Sequence, residues 1–183
     1  ALELASPRRE RLLVCGSGVQ ARAHVEAFRA VMPLREVSVR SRNPANALAL
    51  VKEIRAGGLE CRALATPLVS APLDLSPFDL IVTATPSREP LFDDDPRFDG
   101  FVAAIGAYRP EMCELPASLL HRATLFCDDR DAARSEAGDL IRAGIDWSGV
   151  VPLEQVVAGE AGRPARGPVV FKSVGHALWD LAA

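Results

Sequence analysis

The sequence predicts an α/β fold built on a doubly wound parallel sheet. Three observations lead to this prediction. Strand-like and helix-like segments alternate along the 183 residues with short loops between them, and the first strand-like segment runs through Gly16 and Gly18 directly into a helix. Apolar runs such as DLIVTAT, residues 79–85, suit strands that are buried on both faces, as in parallel sheets.

The N-terminal elements follow from apolar runs and helix-boundary residues. Residues 11–15 are predicted as a strand, residues 19–31 as a helix followed by Pro33, and residues 36–40 as a second strand. Asn43 is a candidate N-cap with Pro44 in the first helical position, and that helix is expected to reach about Ala56 and to stop at the glycines that follow it.

The remaining elements are predicted by the same signals. Strands are expected at residues 61–63, 79–85, 100–106, 123–129 and 168–173, and helices around residues 115–120, 131–137 and 174–183. The dense charge run DDDP, residues 93–96, is expected to be a solvated loop, because charge runs usually lie on the surface.

Composition restricts the classes of function. A net charge of −3 with scattered basic residues predicts no nucleic-acid surface, and no apolar run is long enough to predict a membrane span. Four widely spaced cysteines without a CxxC pair indicate reduced thiols and a cytoplasmic protein, and three distant histidines predict no metal site. The first residue is Ala1, so we expect the chain to be part of a longer protein.

The glycines have two interpretations, a tight turn or a phosphate-binding loop. The motif is G-x-G-x-x-A, with Gly16 for the turn, Gly18 for close approach of a pyrophosphate, and Ala21 for packing of the helix on the strand. Because it follows a strand and opens a helix in an alternating pattern, we predict a dinucleotide site at the helix N-terminus.

The end of the second strand predicts which dinucleotide binds. NAD sites usually place an acidic residue there, on the ribose hydroxyls. Here Arg40, Ser41 and Arg42 follow one another without an acid. A guanidinium and a hydroxyl suit a 2′-phosphate, so we predict NADP, with NAD as the alternative.

Five stretches together resemble one family along essentially the whole chain: GSGVQARAH, VTATPSREPLF, AAIGAYRPEMCEL, SEAGDL and VVFKSVGHALWDLAA. The resemblance is to the ornithine cyclodeaminase/mu-crystallin family. It implies an NAD(P)-binding Rossmann-like domain over residues 1–183, a homodimer, and an N-terminal substrate and dimerisation domain that this sequence lacks.

The resemblance also implies the site residues. The pyrophosphate loop is assigned to Gly16, Ser17, Gly18, Val19 and Gln20, and the 2′-phosphate to Ser41, Arg42, Asn43 and Asn46. Other cofactor contacts are assigned to Thr85, Pro86, Ile105, Ala107 and Ser173. Glu136 falls at the substrate pocket and Tyr108 at the catalytic motif.

One departure from the family pattern bears on the chemistry. Cyclodeaminases carry an aspartate two residues after the glycine of this motif, where this chain has Tyr108, and the lysine that follows there is Met112. A phenol is protonated near neutral pH and does not replace a carboxylate as a base. The chain therefore looks more like the imine-reducing, mu-crystallin branch.

The predicted function is NAD(P)-dependent reduction of a small, cyclic imino acid such as pyrroline-2-carboxylate, or dehydrogenation of an amino acid. Tyr108 would assist proton delivery or shape the pocket, and Glu136 would contact the substrate nitrogen or an ordered water. Two alternatives stay open. One is ornithine cyclodeamination to proline and ammonia, and the other is a non-enzymatic protein that binds a nucleotide and a small ligand.

Overall fold

A computed structural model describes residues 3–5, 7–65 and 73–175. Within this part of the chain the strands are β1 Arg11–Cys15, β2 Glu36–Arg40, β3 Glu60–Ala63, β4 Leu80–Thr83, β5 Phe101–Ala104, β6 Thr124–Cys127, β7 Val151–Pro152 and β8 Val169–Lys172. The α-helices are α1 Val19–Val31, α2 Pro44–Ala56, α3 Ala117–Arg122, α4 Arg130–Glu136, α5 Gly138–Ala143 and α6 Leu153–Val157.

All eight strands join one parallel sheet in the order β3-β2-β1-β4-β5-β8-β6-β7. The chain runs outward from β1 to β3 and then returns to place β4 on the other side of β1. The direction of winding therefore reverses between β1 and β4, which is where open α/β sheets bind ligands. The predicted doubly wound parallel sheet is confirmed.

Two apolar cores lie on opposite faces of the sheet, because side chains alternate along each strand. Leu12 and Val14 of β1 pack in one core with α1 and α2 residues such as Val25 and Leu50. Leu13 and Cys15 pack in the other core with residues of α3 to α5. The near-continuous apolar strands thus follow from burial on both faces.

The bounds of the first four elements are those predicted. Asn43 caps α2 through its side-chain oxygen, which accepts a hydrogen bond from the Ala45 amide at 2.9 Å. The prediction missed α5, α6 and the two-residue strand β7, which are short and carry little periodic signal. The helix predicted at residues 174–183 lies outside the described residues from position 176 onward.

The prediction of a solvated loop at residues 93–96 is wrong for two of its three aspartates. Asp95 is buried and accepts the Leu75 amide at 3.2 Å, and the Arg97 guanidinium beside it holds the pKa of its carboxyl well below the usual range. Asp94 forms an ion pair with Arg122 at 2.7 Å. Leu75 and Arg122 lie 20 and 28 residues away from these aspartates in sequence, so the charge run alone did not reveal the two contacts.

Candidate functional site

The carboxyl ends of the central strands lie side by side. Cys15 pairs with Arg40 on one side and with Thr83 on the other, and Thr83 pairs with Ala104, which pairs with Lys172. The residues that follow these strand ends therefore share one edge of the sheet. They include most of the predicted cofactor residues.

The turn after β1 requires a glycine at position 16. Gly16 has φ +122°, and a Cβ built there would lie 2.5 Å from the Ala84 carbonyl oxygen. Gly18 is different, because its φ of −81° suits any residue and a Cβ would meet no atom of the described residues within 4 Å. These residues leave the space above Gly18 open, which fits close approach by a ligand such as a pyrophosphate.

The N-terminus of α1 is suited to an anion. Gly18 is its N-cap, no side chain caps it within the described residues, and its first turn holds no acidic residue. Arg22 braces the turn, since its Nη1 donates to the Ser17 carbonyl at 2.7 Å while its Nε and Nη2 form an ion pair with Glu53 of α2. The first helical amides are therefore held in place but left available.

The loop after β2 carries the predicted 2′-phosphate residues. Ser41, Arg42, Asn43 and Asn46 share a cavity of about 230 Å³ with Gly16, Ser17, Gly18, Ala84, Thr85, Pro86 and Ser87. Arg42 is exposed, and its side chain makes no hydrogen bond or ion pair in the part of the chain that is described. Its guanidinium is thus available to an anion in that cavity.

Arg40 does not share this role. It is fully buried, its Nη1 donates to the Leu91 carbonyl at 2.7 Å, and burial lowers its pKa. Its guanidinium does not line the cavity. Of the two arginines that suggested a phosphate site, only Arg42 is placed for one.

A second cavity of about 420 Å³ continues from the first, since both are lined by Ala84, Thr85 and Pro86. Its wall contains four more predicted residues, Gln20, Ile105, Tyr108 and Ser173. Tyr108 is 44 % exposed, and the Arg109 guanidinium lies 5.7 Å from the centroid of its ring. Predicted residues from five separate loops thus line one continuous groove.

Three predicted residues do not line either cavity. Val19 is the first residue of α1 and is 81 % exposed, whereas Ala107 is fully buried. Glu136 is the last residue of α4 and is exposed. Its predicted place at a substrate pocket therefore stays a prediction.

Three titratable residues in or beneath the groove, among others that line it, were not predicted from the sequence. His24 lies one helical turn after Gln20, lines the second cavity, and has Nδ1 2.8 Å from the Gln20 carbonyl oxygen. Because a carbonyl only accepts, Nδ1 carries the hydrogen and Nε2 is the nitrogen left for another partner. The helical spacing of Gln20 and His24 is the signal that was available.

The other two missed residues are buried carboxylates beneath the groove. Asp128 Oδ2 accepts hydrogen bonds from the Ser173 hydroxyl at 2.7 Å and from the amides of Val174 and Gly175. Glu114 is fully buried and binds Thr85 and Gly106, which line the second cavity. Both act over long sequence separations, so no local pattern indicates them.

The profile of the ornithine cyclodeaminase/mu-crystallin family matches residues 3–183. The chain belongs to this family. The family resemblance read from the five sequence stretches is therefore confirmed.

Individual relatives agree with this family membership. The chain is 38 % identical over 172 residues to the Delta(1)-pyrroline-2-carboxylate reductase 1 of Burkholderia multivorans, covering 94 % of this chain and 53 % of that protein. It is 32 % identical over 181 residues to the ketimine reductase mu-crystallin of Mus musculus, covering 98 % and 55 %. The chain thus spans about half the length of the curated relatives it matches.

A solved structure agrees with the fold. The Delta(1)-pyrroline-2-carboxylate reductase of Thermococcus litoralis, in complex with NADH and L-proline, superposes with a TM-score of 0.82 at 26 % identity, covering 94 % of this chain and 55 % of that one. Within the residues that the structure describes, we find no cluster of three or more potential metal ligands. In the same part of the chain, no helix is long and apolar enough to cross a bilayer.

Proposed function

We propose that this chain is the coenzyme-binding part of an NADP(H)-dependent oxidoreductase that reduces the C=N bond of a small cyclic imino acid. The observation that carries the proposal is the continuous groove along the carboxyl edge of the sheet. One end is the open glycine turn with Arg42, and the other end is lined by Tyr108, His24 and Ser173.

The residues present fit a nicotinamide dinucleotide. The described residues leave the space above Gly18 open and do not cap the start of α1 with a side chain, and Gly16 forces the turn, so this region suits a pyrophosphate. Thr85, Pro86 and Ile105 would flank the nicotinamide half, and the reductase structure with NADH supports this choice of coenzyme class.

The choice of NADP over NAD depends on the loop after β2. Ser41 and the exposed Arg42 stand where an acidic residue would contact ribose hydroxyls. A 2′-phosphate would gain a charge-assisted hydrogen bond from this guanidinium, whereas a hydroxyl would gain little. The Ser41 hydroxyl lies 2.8 Å from that of Ser17 and is held at the same side of the cavity.

A bound nicotinamide would supply the hydride that reduces the imine carbon. The chain's own residues would hold the substrate in the second cavity and provide the proton that the nitrogen gains. His24 and Tyr108 are the side chains lining that cavity that exchange protons in other enzymes. The Nδ1–H bond of His24 leaves Nε2 as the atom for such a transfer, and Nε2 would give its proton from the doubly protonated ring, which returns to the neutral Nδ1–H form.

This geometry favours reduction over cyclodeamination. Tyr108 occupies the position of the cyclodeaminase aspartate, and none of the described residues that line the second cavity is acidic. Elimination of ammonia near neutral pH needs a group that accepts and returns a proton, and a carboxylate does this where a neutral phenol does not. The relatives named as pyrroline-2-carboxylate and ketimine reductases support the same choice.

The same proposal covers assembly and location. We propose that residues 1–183 act as the coenzyme domain of a homodimer, and that the substrate-binding part corresponds to the length of the relatives that the chain does not match. Four buried cysteines that form no disulfide support a reducing, cytoplasmic location.

Absorbance at the NADPH band tests the function directly. We expect the full-length protein to oxidise NADPH when it is given pyrroline-2-carboxylate or its six-membered homologue. We expect no proline and ammonia from ornithine with catalytic NAD. Proline formed stoichiometrically from ornithine would assign the protein to the cyclodeaminases, and binding without any turnover across an imino-acid panel would favour the binding-protein alternative.

A further inference from the structure

One buried carboxylate joins two strand ends that line the groove. Glu114 is fully buried, and its Oε1 accepts hydrogen bonds from the Thr85 amide and the Thr85 hydroxyl, both at 2.7 Å. Its Oε2 accepts from the Thr83 hydroxyl at 2.9 Å and from the Gly106 amide at 2.8 Å. The loops after β4 and β5 are therefore tied to a single side chain.

A second carboxylate holds Glu114 in turn. Asp139 Oδ1 accepts the amides of Glu114 at 2.6 Å and of Leu115 at 3.0 Å. Its Oδ2 lies 3.1 Å from Lys172 Nζ in an ion pair that is almost fully buried. Lys172 ends β8 and precedes Ser173, so this network reaches a third strand end beside the second cavity.

Stability alone is a weak reason for this arrangement. Burial, and after it the Asp139 carboxylate, raises the pKa of Glu114, because its charged form is removed from water. Buried ionic groups often contribute less stability than a well-packed apolar cluster of similar volume. Glu114 does provide a fixed set of directions, since each of its two carboxylate oxygens accepts two donors from defined backbone and side-chain atoms.

The space around Gly106 shows how closely the carboxylate fits. A Cβ added there would lie 2.5 Å from Glu114 Oε1 and would also collide with the Thr85 backbone. The loop after β5, the loop after β4 and the carboxylate are thus in mutual contact. A displacement of Glu114 would move both walls of the second cavity.

We propose that Glu114 is a positioning residue for the coenzyme: its carboxylate holds the loops after β4 and β5 in the geometry that forms the wall of the groove. This inference rests on the proposed coenzyme site. Glu114 does not itself line either cavity, so it would act through Thr85 and Gly106.

Titration of the chain with NADPH, followed by coenzyme fluorescence, tests the proposal. In Glu114→Gln an amide nitrogen replaces one carboxylate oxygen, so either Thr85 or Gly106 faces a donor where it had an acceptor. We expect the dissociation constant to rise roughly ten- to hundredfold, the effect of losing hydrogen bonds to a charged group and of displacing a binding wall.

A second pair of variants, at Thr83, tests the same proposal if Glu114→Gln does not fold. Thr83 is fully buried in β4, lines neither cavity, and contacts Glu114 through its hydroxyl alone. Thr83→Val removes that bond at nearly constant shape and should weaken NADPH roughly three- to tenfold. Thr83→Ser keeps the hydroxyl and should bind NADPH like the wild type. If Thr83 acted only through packing, Thr83→Ser would weaken NADPH binding more than Thr83→Val does, because serine loses a buried methyl group.

Asp95→Asn is the matched control, since Asp95 is also a buried carboxylate that accepts a backbone amide but lies away from the groove. We expect it to leave NADPH affinity unchanged. Folded variants that bind within twofold of the wild type, or a loss in Asp95→Asn equal to that in Glu114→Gln, would overturn the positioning role alone. A wild-type chain that binds neither NADPH nor NADH would overturn the proposed coenzyme site and this inference with it.

Discussion

The hydroxyls of Ser17 and Ser41 lie 2.8 Å apart, which joins the turn after β1 to the turn after β2. Either oxygen can donate, so the contact persists whichever hydroxyl gives the proton. It fixes the distance between the glycine turn and Arg42. The two ends of a dinucleotide's adenosine half would therefore meet a preformed surface.

The exposed Arg42 is the residue that we expect to set the coenzyme preference. Arg42→Ala should weaken NADPH by about 1.5–3 kcal/mol, the range for a charge-assisted hydrogen bond, and should leave NADH nearly unaffected. Lys52→Ala is the control, because Lys52 is an exposed cation on α2 that lines neither cavity. Equal losses of NADPH affinity in Arg42→Ala and Lys52→Ala would show that the effect comes from the overall positive charge and not from a contact of Arg42 with the phosphate.

Alanine substitution of the two glycines in this turn should affect different properties, stability for Gly16 and dinucleotide binding for Gly18. Gly16→Ala should lower the free energy of unfolding by about 1–3 kcal/mol, because the residue sits at positive φ against the Ala84 carbonyl. Gly18→Ala should lower it by no more than about 1 kcal/mol, the difference between glycine and alanine at an N-cap, since its backbone suits any residue, yet should weaken dinucleotide binding. Urea denaturation and NADPH titration separate the two effects.

If instead Gly18→Ala binds NADPH like the wild type, the open space above Gly18 is not where the pyrophosphate lies. Loss of binding in Gly16→Ala carries no such information, because that variant is expected to distort the turn itself.

The sequence predicted those parts of the fold that local chemistry determines. The Asn43–Pro44 boundary, the glycine turn and the doubly apolar strands each have a signal within a few residues. The placement of β8 between β5 and β6 has no such local signal, because it depends on which strand edges remain available after the other strands pair. That placement is what brings Ser173 to the groove beside Gly106.

The site residues likewise divide into those that have a local sequence signal and those that do not. Glycine, serine and arginine positions at strand ends were predicted, because strand ends gather at one edge of a parallel sheet. Glu114 and Asp128 were missed because the partners through which they reach the groove lie 8 to 47 residues away. Arg40 contributed to the same sequence signal for a phosphate site as Arg42, two positions later. The structure excludes a phosphate-binding role for Arg40, because its side chain is buried and donates to the Leu91 carbonyl.

Proton delivery in the second cavity should depend more on His24 than on Tyr108. His24→Gln removes Nε2 as an exchangeable group and should lower kcat for imine reduction by roughly 10²–10⁴-fold, the usual contribution of a general acid. Tyr108→Phe should retain much of the activity, because a half-exposed ring that mainly shapes the pocket keeps its shape. The two variants are compared by their steady-state rates with NADPH and a cyclic imino acid, measured in the full-length protein.

A Tyr108→Phe variant that loses as much activity as His24→Gln would instead assign the proton transfer to the phenol. Unchanged NADPH affinity in both variants is the control that the groove itself is intact.

The cysteines should be unreactive in the folded protein. Burial raises the pKa of Cys15 and Cys127 to about 12 and of Cys61 and Cys113 to about 11. At pH 8 a thiol with a pKa of 11 is about one part in a thousand thiolate, the reactive form. Its reaction with a disulfide reagent should therefore rise about tenfold per pH unit through pH 9.5.

An ordinary thiol would level off near pH 8.5–9 instead. The same protein in guanidinium chloride gives that control curve. A native rate that levels off near pH 9 would show that at least one of the four side chains is accessible and ordinary.

The most direct test of the coenzyme site is a parallel titration of this chain with NADPH and NADH, followed by the fluorescence of the reduced nicotinamide. Saturable binding at one site per chain, with NADPH bound at least about tenfold tighter, is the expected result of a phosphate on Arg42 at about 1.4 kcal/mol or more. Saturable binding in which NADH is the tighter ligand by tenfold, or the absence of saturable binding for both, would contradict it.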